Sequence, residues 1–240
     1  MRTLTLSSFL FLAAVSTATA GPFEDGLAAY KTGDWDAAYR LLKPVADSNT
    51  SQTPVAQERM GRMTERGKGT TKDFAAAAKW YEKAANQGDV LAQGHLGRLY
   101  RIGAPGLARD PLQAAKWSIK AATQGNALAQ ASLGHMALEG VGGPADPAAA
   151  AGWFKRAADQ GDANAMLGLG TLQEAGKGVP KDVVQAAKWY ALASIDDGES
   201  DDDLFARAKR QHETLAKSMS PAQIASSDQL VKDFKPVAKR

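Results

Sequence analysis

The chain has 240 residues, 44% of them hydrophobic and 23% charged, a balance that excludes a disordered polymer and suffices for one or two folded domains. Its formal net charge of +3 is too small to imply a nucleic-acid binder. The absence of cysteine excludes disulfide staples and removes the acceptor of a bacterial lipid anchor.

Residues 1–20 read as a secretory signal peptide: Arg2 gives a positive start, Leu4 to Val15 is largely apolar, and Ala18-Thr19-Ala20 is a small-residue cleavage site before Gly21. The apolar part is too short to span a bilayer, and no later segment approaches the ~20 apolar residues of a membrane helix. The expected mature chain starts near Gly21, inserts in no membrane, and is periplasmic or secreted.

From residue 53 onward the sequence repeats. Tryptophans stand at Trp80, Trp117, Trp153 and Trp189, and glycines preceded by a hydrophobic residue at Gly61, Gly97, Gly134 and Gly170. Both columns share a period of about 36 residues, the signature of a solenoid of helix pairs. Within one unit Ala92, Leu96 and Leu99 fall on one helical face, and Gly103-Ala104-Pro105-Gly106 breaks that helix. Asp110-Pro111 and Asp146-Pro147 read as caps with proline at the first helical position, and Asp73 and Asp182 fill the same place without the proline. Ala114, Ala115, Trp117 and Ala121 supply the inner face of the second helix, which Gly125 stops in a left-handed conformation. Gly97, Ala114 and Ala115 let the two helices approach closely, while Trp117 fills the wedge beside them. The tryptophans are therefore expected in the core, and the residues that follow three of them, Tyr81, Phe154 and Tyr190, are expected to be freer to face outward.

The set Ala92, Leu96, Gly97, Tyr100, Gly103, Asp110, Ala114, Trp117, Ala121, Ala122, Gln124 and Gly125 resembles the Sel1-like repeat, a relative of the tetratricopeptide repeat. The resemblance implies an all-α fold, a right-handed α-solenoid of stacked antiparallel helix pairs, with four repeats over residues 53–198. Gly33-Asp34-Trp35-Asp36-Ala37-Ala38 with Leu41, Leu42 and Pro44 resembles a degenerate half-repeat, which gives an N-terminal helix pair within 21–52. Residues 199–240 are expected to form capping helices and a tail, with Ser220-Pro221 opening the last helix.

Catalytic signatures are missing. No H-E-x-x-H, G-x-S-x-G or S-x-x-K occurs, and the three histidines, His95, His135 and His212, stand far apart in the sequence. Gly61 to Gly69 and Gly170 to Gly178 each contain Gly-Lys-Gly, but the spacing and the lack of Ser/Thr after the lysine favour a turn over a phosphate loop. Asp196, Asp197, Glu199, Asp201, Asp202 and Asp203 lack the spacing of an EF-hand and suit a solvated connection or an acidic contact. No enzyme activity, cofactor or metal is expected. The resemblance implies a protein-binding scaffold or regulator of the bacterial cell envelope, with an envelope or membrane signalling protein as partner. The alternatives are a secreted effector-like binder of host proteins and a cell-wall-related hydrolase.

The position after the repeated glycine runs Arg62, Arg98, His135, Thr171, a stripe basic at one end and neutral at the other. On the helix of the second unit, at about 100° per residue, Arg101, Arg98 and His95 are expected to point away from the Leu96–Leu99 face. Arg62, His95, Arg98, Arg101 and His135 are accordingly the predicted partner-binding residues, suited to an acidic or polar segment. As for the leader, mass spectrometry of the exported protein is expected to find Gly21 at the N-terminus, and Met1 or Arg2 there would overturn that reading.

Overall fold

The computed structural model describes residues 21–195 and 202–237; the proposed leader and residues 196–201 of the acidic stretch lie outside them. The described residues form an α-solenoid. Its pairs are α1 (Pro22–Thr32) with α2 (Trp35–Ala46), α3 (Thr53–Arg66) with α4 (Phe74–Asn86), α5 (Val90–Ile102) with α6 (Pro111–Ala122), α7 (Ala127–Glu139) with α8 (Pro147–Ala158), and α9 (Ala163–Ala175) with α10 (Val183–Ala193). Two further helices, α11 (Asp202–Ala216) and α12 (Pro221–Asp233), pack on α10.

Side-chain caps set the helix starts. Asp34, Asp73, Asp110, Asp146 and Asp182 accept backbone N–H bonds at the starts of α2, α4, α6, α8 and α10. Asp89, Asn126 and Asp162 do the same for α5, α7 and α9. Each such cap is typically worth ~1 kcal/mol. Gly125 has the expected positive φ of 86°, but α6 ends earlier, at Ala122, and the glycine turns the chain toward α7 instead of capping the helix directly.

The aromatic register differs from the sequence expectation. Tyr81, Phe154 and Tyr190 are completely buried, whereas Trp80 and Trp153 are only half-buried. A side chain one residue on is rotated by about 100° around the helix, and that step carries the ring from the outer seam onto the helix's own partner. There it meets the repeated glycine. A Cβ built on Gly61 would lie 2.5 Å from the Tyr81 ring, on Gly134 2.5 Å from Phe154, and on Gly170 2.8 Å from Tyr190. In the second unit Ser118 takes the ring's place, and a Cβ on Gly97 would lie 2.5 Å from its Oγ. The N-terminal pair follows the same rule with Gly26 and the fully buried Leu42.

The tryptophans instead face the preceding unit. Trp80 packs beside Leu42, Ala46, Ala56 and Met60, and Trp153 beside Ala121, Ala122 and Ala129. A chain of glutamines ties the same seams. Gln57, Gln93 and Gln130 donate to the carbonyls of Ala46, Ala85 and Ala122 at the end of the previous unit. Each also accepts from a glutamine after its own second helix, Gln87, Gln124 or Gln160, at 2.7–3.2 Å. In the fourth unit Met166 stands in this column and is buried.

First helices of successive units touch one another, α3 with α5, α5 with α7, α7 with α9 and α9 with α11, whereas the second helices from α2 to α10 make no comparable contact among themselves and only the terminal α12 packs on α10. The stack therefore closes on the side of the first helices, which form its inner face. At the far end Leu204, Ala208, Leu215 and Met219 join the core built on Phe154, Trp189 and Tyr190. The chain then runs on past α12, where Phe234 meets the edge of Trp189 at 5.6 Å between ring centres.

Two glycines on one unit should respond oppositely to alanine. Gly134→Ala forces a methyl against Phe154 and is expected to cost ~1–3 kcal/mol in urea unfolding. Gly152→Ala, with nothing within 4 Å of the new Cβ, is expected to gain up to ~1 kcal/mol of helix propensity. Trp117, 3% exposed, is expected to cost ~3–5 kcal/mol on replacement by alanine.

Candidate functional site

The inner face gathers all five of the predicted residues, but most of them already have partners in the fold. Arg98 on α5 pairs with Glu65 on α3, and Glu65 also accepts from the Tyr81 hydroxyl at 2.9 Å. Arg101 donates to Glu139 on α7 at 3.0 Å, and Arg109 pairs with the same carboxylate. Arg62 on α3 lies with Arg59 against the Tyr30 ring, at 5.9 and 5.3 Å. The expectation that His95, Arg98 and Arg101 point freely away from the core is corrected. The first helix of each unit is flanked by the first helices of its neighbours, so residues on the flanks of the stripe face those helices rather than solvent.

His95 is the clearest case. Its imidazole stacks on Tyr81, with ring centres 4.9 Å apart and planes 10° from parallel, and its side chain is 17% exposed. Nε2 lies 3.5 Å from Oε1 of Glu58, a carboxylate only 1% exposed that also pairs with Arg59. Burial, helped by Arg98 and Arg62, holds the His95 pKa well below the usual imidazole range, and burial raises that of Glu58. A neutral imidazole beside a carboxylate deprived of water is what this enclosure favours.

His135 sits farther along the face, edge-on to Phe154 at 4.9 Å. It opens onto a cavity of about 320 Å³ between α7, α9 and α11, with Leu138, Leu167 and Leu172 as its apolar part and Asn164, Thr171, Arg207 and Gln211 as its polar part. Asn164, Thr171 and Arg207 are exposed. Sequence reasoning missed these residues because their columns change identity from unit to unit. It also missed the carboxylates, although one signal was there: Glu65 and Glu174 each stand 16 residues before the tyrosine whose hydroxyl they accept, Tyr81 and Tyr190.

Among the described residues no group of three or more His, Asp or Glu side chains could hold a metal ion. No described helix is long and apolar enough to cross a membrane. What the face offers is alternating charge, stacked rings and one amphipathic cavity.

Comparison with known proteins places the chain among relatives. The Sel1 repeat profile matches residues 54–89, 90–126, 127–162 and 163–195. The crystal structure of a Sel1 repeat protein from Oxalobacter formigenes is 28% identical, with a TM-score of 0.62 over 86% of this chain and 84% of that one. A protective antigen of uropathogenic Escherichia coli strains, described as displaying an SLR fold, is 26% identical with a TM-score of 0.46, over 88% of this chain and 56% of that one. No curated protein matches.

Burial, with Arg101 and Arg207 adding to it, lowers the His135 pKa to about 4. A histidine in the unfolded chain titrates near ~6.5, so the unfolded state takes up the proton first as pH falls. The contribution of His135 is therefore complete above that value and lost progressively toward pH 4. The unfolding midpoint of wild type, measured relative to that of His135→Gln, is therefore expected to fall as pH drops from about 6.5 toward 4. Comparing the two chains cancels the opposite trend of Glu58, whose raised pKa favours the folded state in acid. Parallel curves would place His135 in solvent.

Proposed function

This chain belongs to the Sel1 repeat family, and we propose that it is a non-catalytic protein-binding scaffold exported to the bacterial cell envelope, where the inner face of its first helices receives a protein partner. The observation that carries this reading is the cavity beside His135. An aliphatic floor with a rim of amide, hydroxyl and guanidinium groups suits one side chain of a docked segment, and Asn164, Thr171 and Arg207 of that rim are exposed. Along the stripe, Arg98 and Arg101 contribute as paired charges and Arg62 as a cation beside Tyr30, which together fix the register of the partner more than they attract it.

Export rests on the sequence of residues 1–20, and the envelope rests on the family resemblance together with that leader. A secreted binder of host proteins would use the same face, and the compartment in which the mature chain accumulates separates the two. A hydrolytic role in the cell wall predicts turnover of peptidoglycan by the purified protein.

Photo-crosslinkers placed at Asn164 and at Gly152 distinguish the inner face from the outer one in cells. The expected result is one defined protein adduct at Asn164 and none at Gly152. Against that protein, Arg207→Glu with Thr171→Arg is expected to weaken binding by about tenfold or more with an unchanged unfolding midpoint. Arg98 is unsuitable for such a test, because reversing its charge sets two carboxylates against each other at Glu65. Unaltered affinity in the folded double variant would remove the inner face from the site.

A further inference from the structure

The last seam of the solenoid is filled by the chain itself. After α12 the segment Phe234-Lys235-Pro236-Val237 runs extended beside α8 and α10. Phe234 meets Trp189 edge-on, Lys188 lies over both rings at 3.8 and 5.2 Å, Pro236 rests against Gly161, and the Val237 N–H donates to the Asp159 carbonyl at 2.7 Å. Lys155, held by an i,i+4 pair with Asp159, also reaches the Trp189 ring at 6.0 Å.

The first seam repeats part of this set without the tail, with Asn49 standing where Gly161 receives the proline. Counted from the capping aspartates, Trp80 occupies the place of Trp189 (Asp73 and Asp182 plus seven), and Lys43 and Asp47 those of Lys155 and Asp159 (Asp34 and Asp146 plus nine and thirteen). Lys43 pairs with Asp47 as Lys155 does with Asp159, and it stands 5.4 Å from the Trp80 ring. Trp80 is half-buried where Trp189 is 2% exposed, and it opens onto a cavity of about 710 Å³ lined by Tyr39, Phe74, Pro105 and the turn around Lys72. Of the corresponding rings between them, Trp117 is closed at 3% exposure and Trp153, half-buried like Trp80, has Arg156 over it at 4.8 Å.

We propose that the α2–α4 seam at Trp80 is a second binding site, on the outer side of the solenoid, for an extended segment of a partner protein that carries an aromatic residue followed two positions later by proline. The chain's own Phe234-Lys235-Pro236 is the template. The aromatic residue takes the exposed edge of Trp80 beside Tyr39 and Phe74. The proline lowers the entropy lost on docking, because its backbone is already extended. This site does not depend on the inner face, and the two can fail separately.

The probe is a fluorescein-labelled peptide with the sequence of residues 231–239, VKDFKPVAK, titrated into the mature chain and followed by anisotropy. The tail already covers Trp189, so binding in trans reads the remaining seams. Saturable binding is expected, weakened by about tenfold or more by Tyr39→Ala, by Trp80→Leu, and by alanine in place of the peptide's phenylalanine. Tyr39→Ala keeps the test valid if Trp80→Leu unfolds the chain. Binding seen only with a Phe234→Ala chain, whose Trp189 seam is vacated, overturns the proposal. So does unaltered affinity in the folded Tyr39 variant, or a dimer by light scattering that Phe234→Ala abolishes, which would make a second copy the occupant.

Discussion

Where Gly61, Gly134 and Gly170 meet Tyr81, Phe154 and Tyr190, the ring occupies the volume that a Cβ would need, so the spacing of the two helices is set by a flat side chain lying on bare backbone. Glycine inside a helix costs about 1 kcal/mol relative to alanine, and the chain accepts that cost at each of these three positions. The close approach buries rings of the size of Tyr81 and Phe154 completely, and full burial of such a side chain is worth roughly 1.5–3 kcal/mol. Because the same contact recurs at Gly26 and Leu42, the N-terminal pair is a working member of the stack.

With the inside of each pair fixed in this way, the seams between pairs are left to other residues. Trp80 and Trp153 lie across seams, and Gln57, Gln93 and Gln130 donate to carbonyls at the end of the previous second helix, adding a second bond at Ala85 and Ala122, which also accept from the Gly88 and Gly125 N–H groups. A buried amide that both donates and accepts ties two units together only when both bonds form, so the ladder specifies register as well as adding stability. Met166 ends it in the fourth unit, where the core extends instead into Leu204, Ala208 and Leu215 of α11. Stability in such a stack is a sum over neighbours, and here the seam at Met166 lacks the amide link of the earlier ones.

The period, the Asp caps at Asp73, Asp110, Asp146 and Asp182, and the small residues at Gly97 and Ala114 were legible because identical residues recur at one spacing. The role of the aromatics was not. Trp and the residue after it are adjacent in sequence, and deciding which of the two enters the pair requires knowing where the facing glycine lies, a fact of three dimensions. The inner-face stripe was legible as a row of positions but not as a charge. Arg98 and Arg101 read as free cations on their own helix, because Glu65 and Glu139, which neutralise them, come from helices more than 30 residues away.

That neutralisation changes what the inner face can recognise. A row of unpaired arginines would draw in any acidic chain, with an affinity that falls steeply as salt rises. Arginines held by Glu65 and Glu139 present fixed, alternating donors and acceptors, and a partner that disrupts them leaves a carboxylate without its counter-charge. Discrimination then depends on matching a pattern of hydrogen-bonding groups beside an aliphatic pocket, with His95 and Glu58 enclosed beneath it as support. For the protein partner proposed above, selective docking of a shaped segment would outweigh long-range electrostatic attraction.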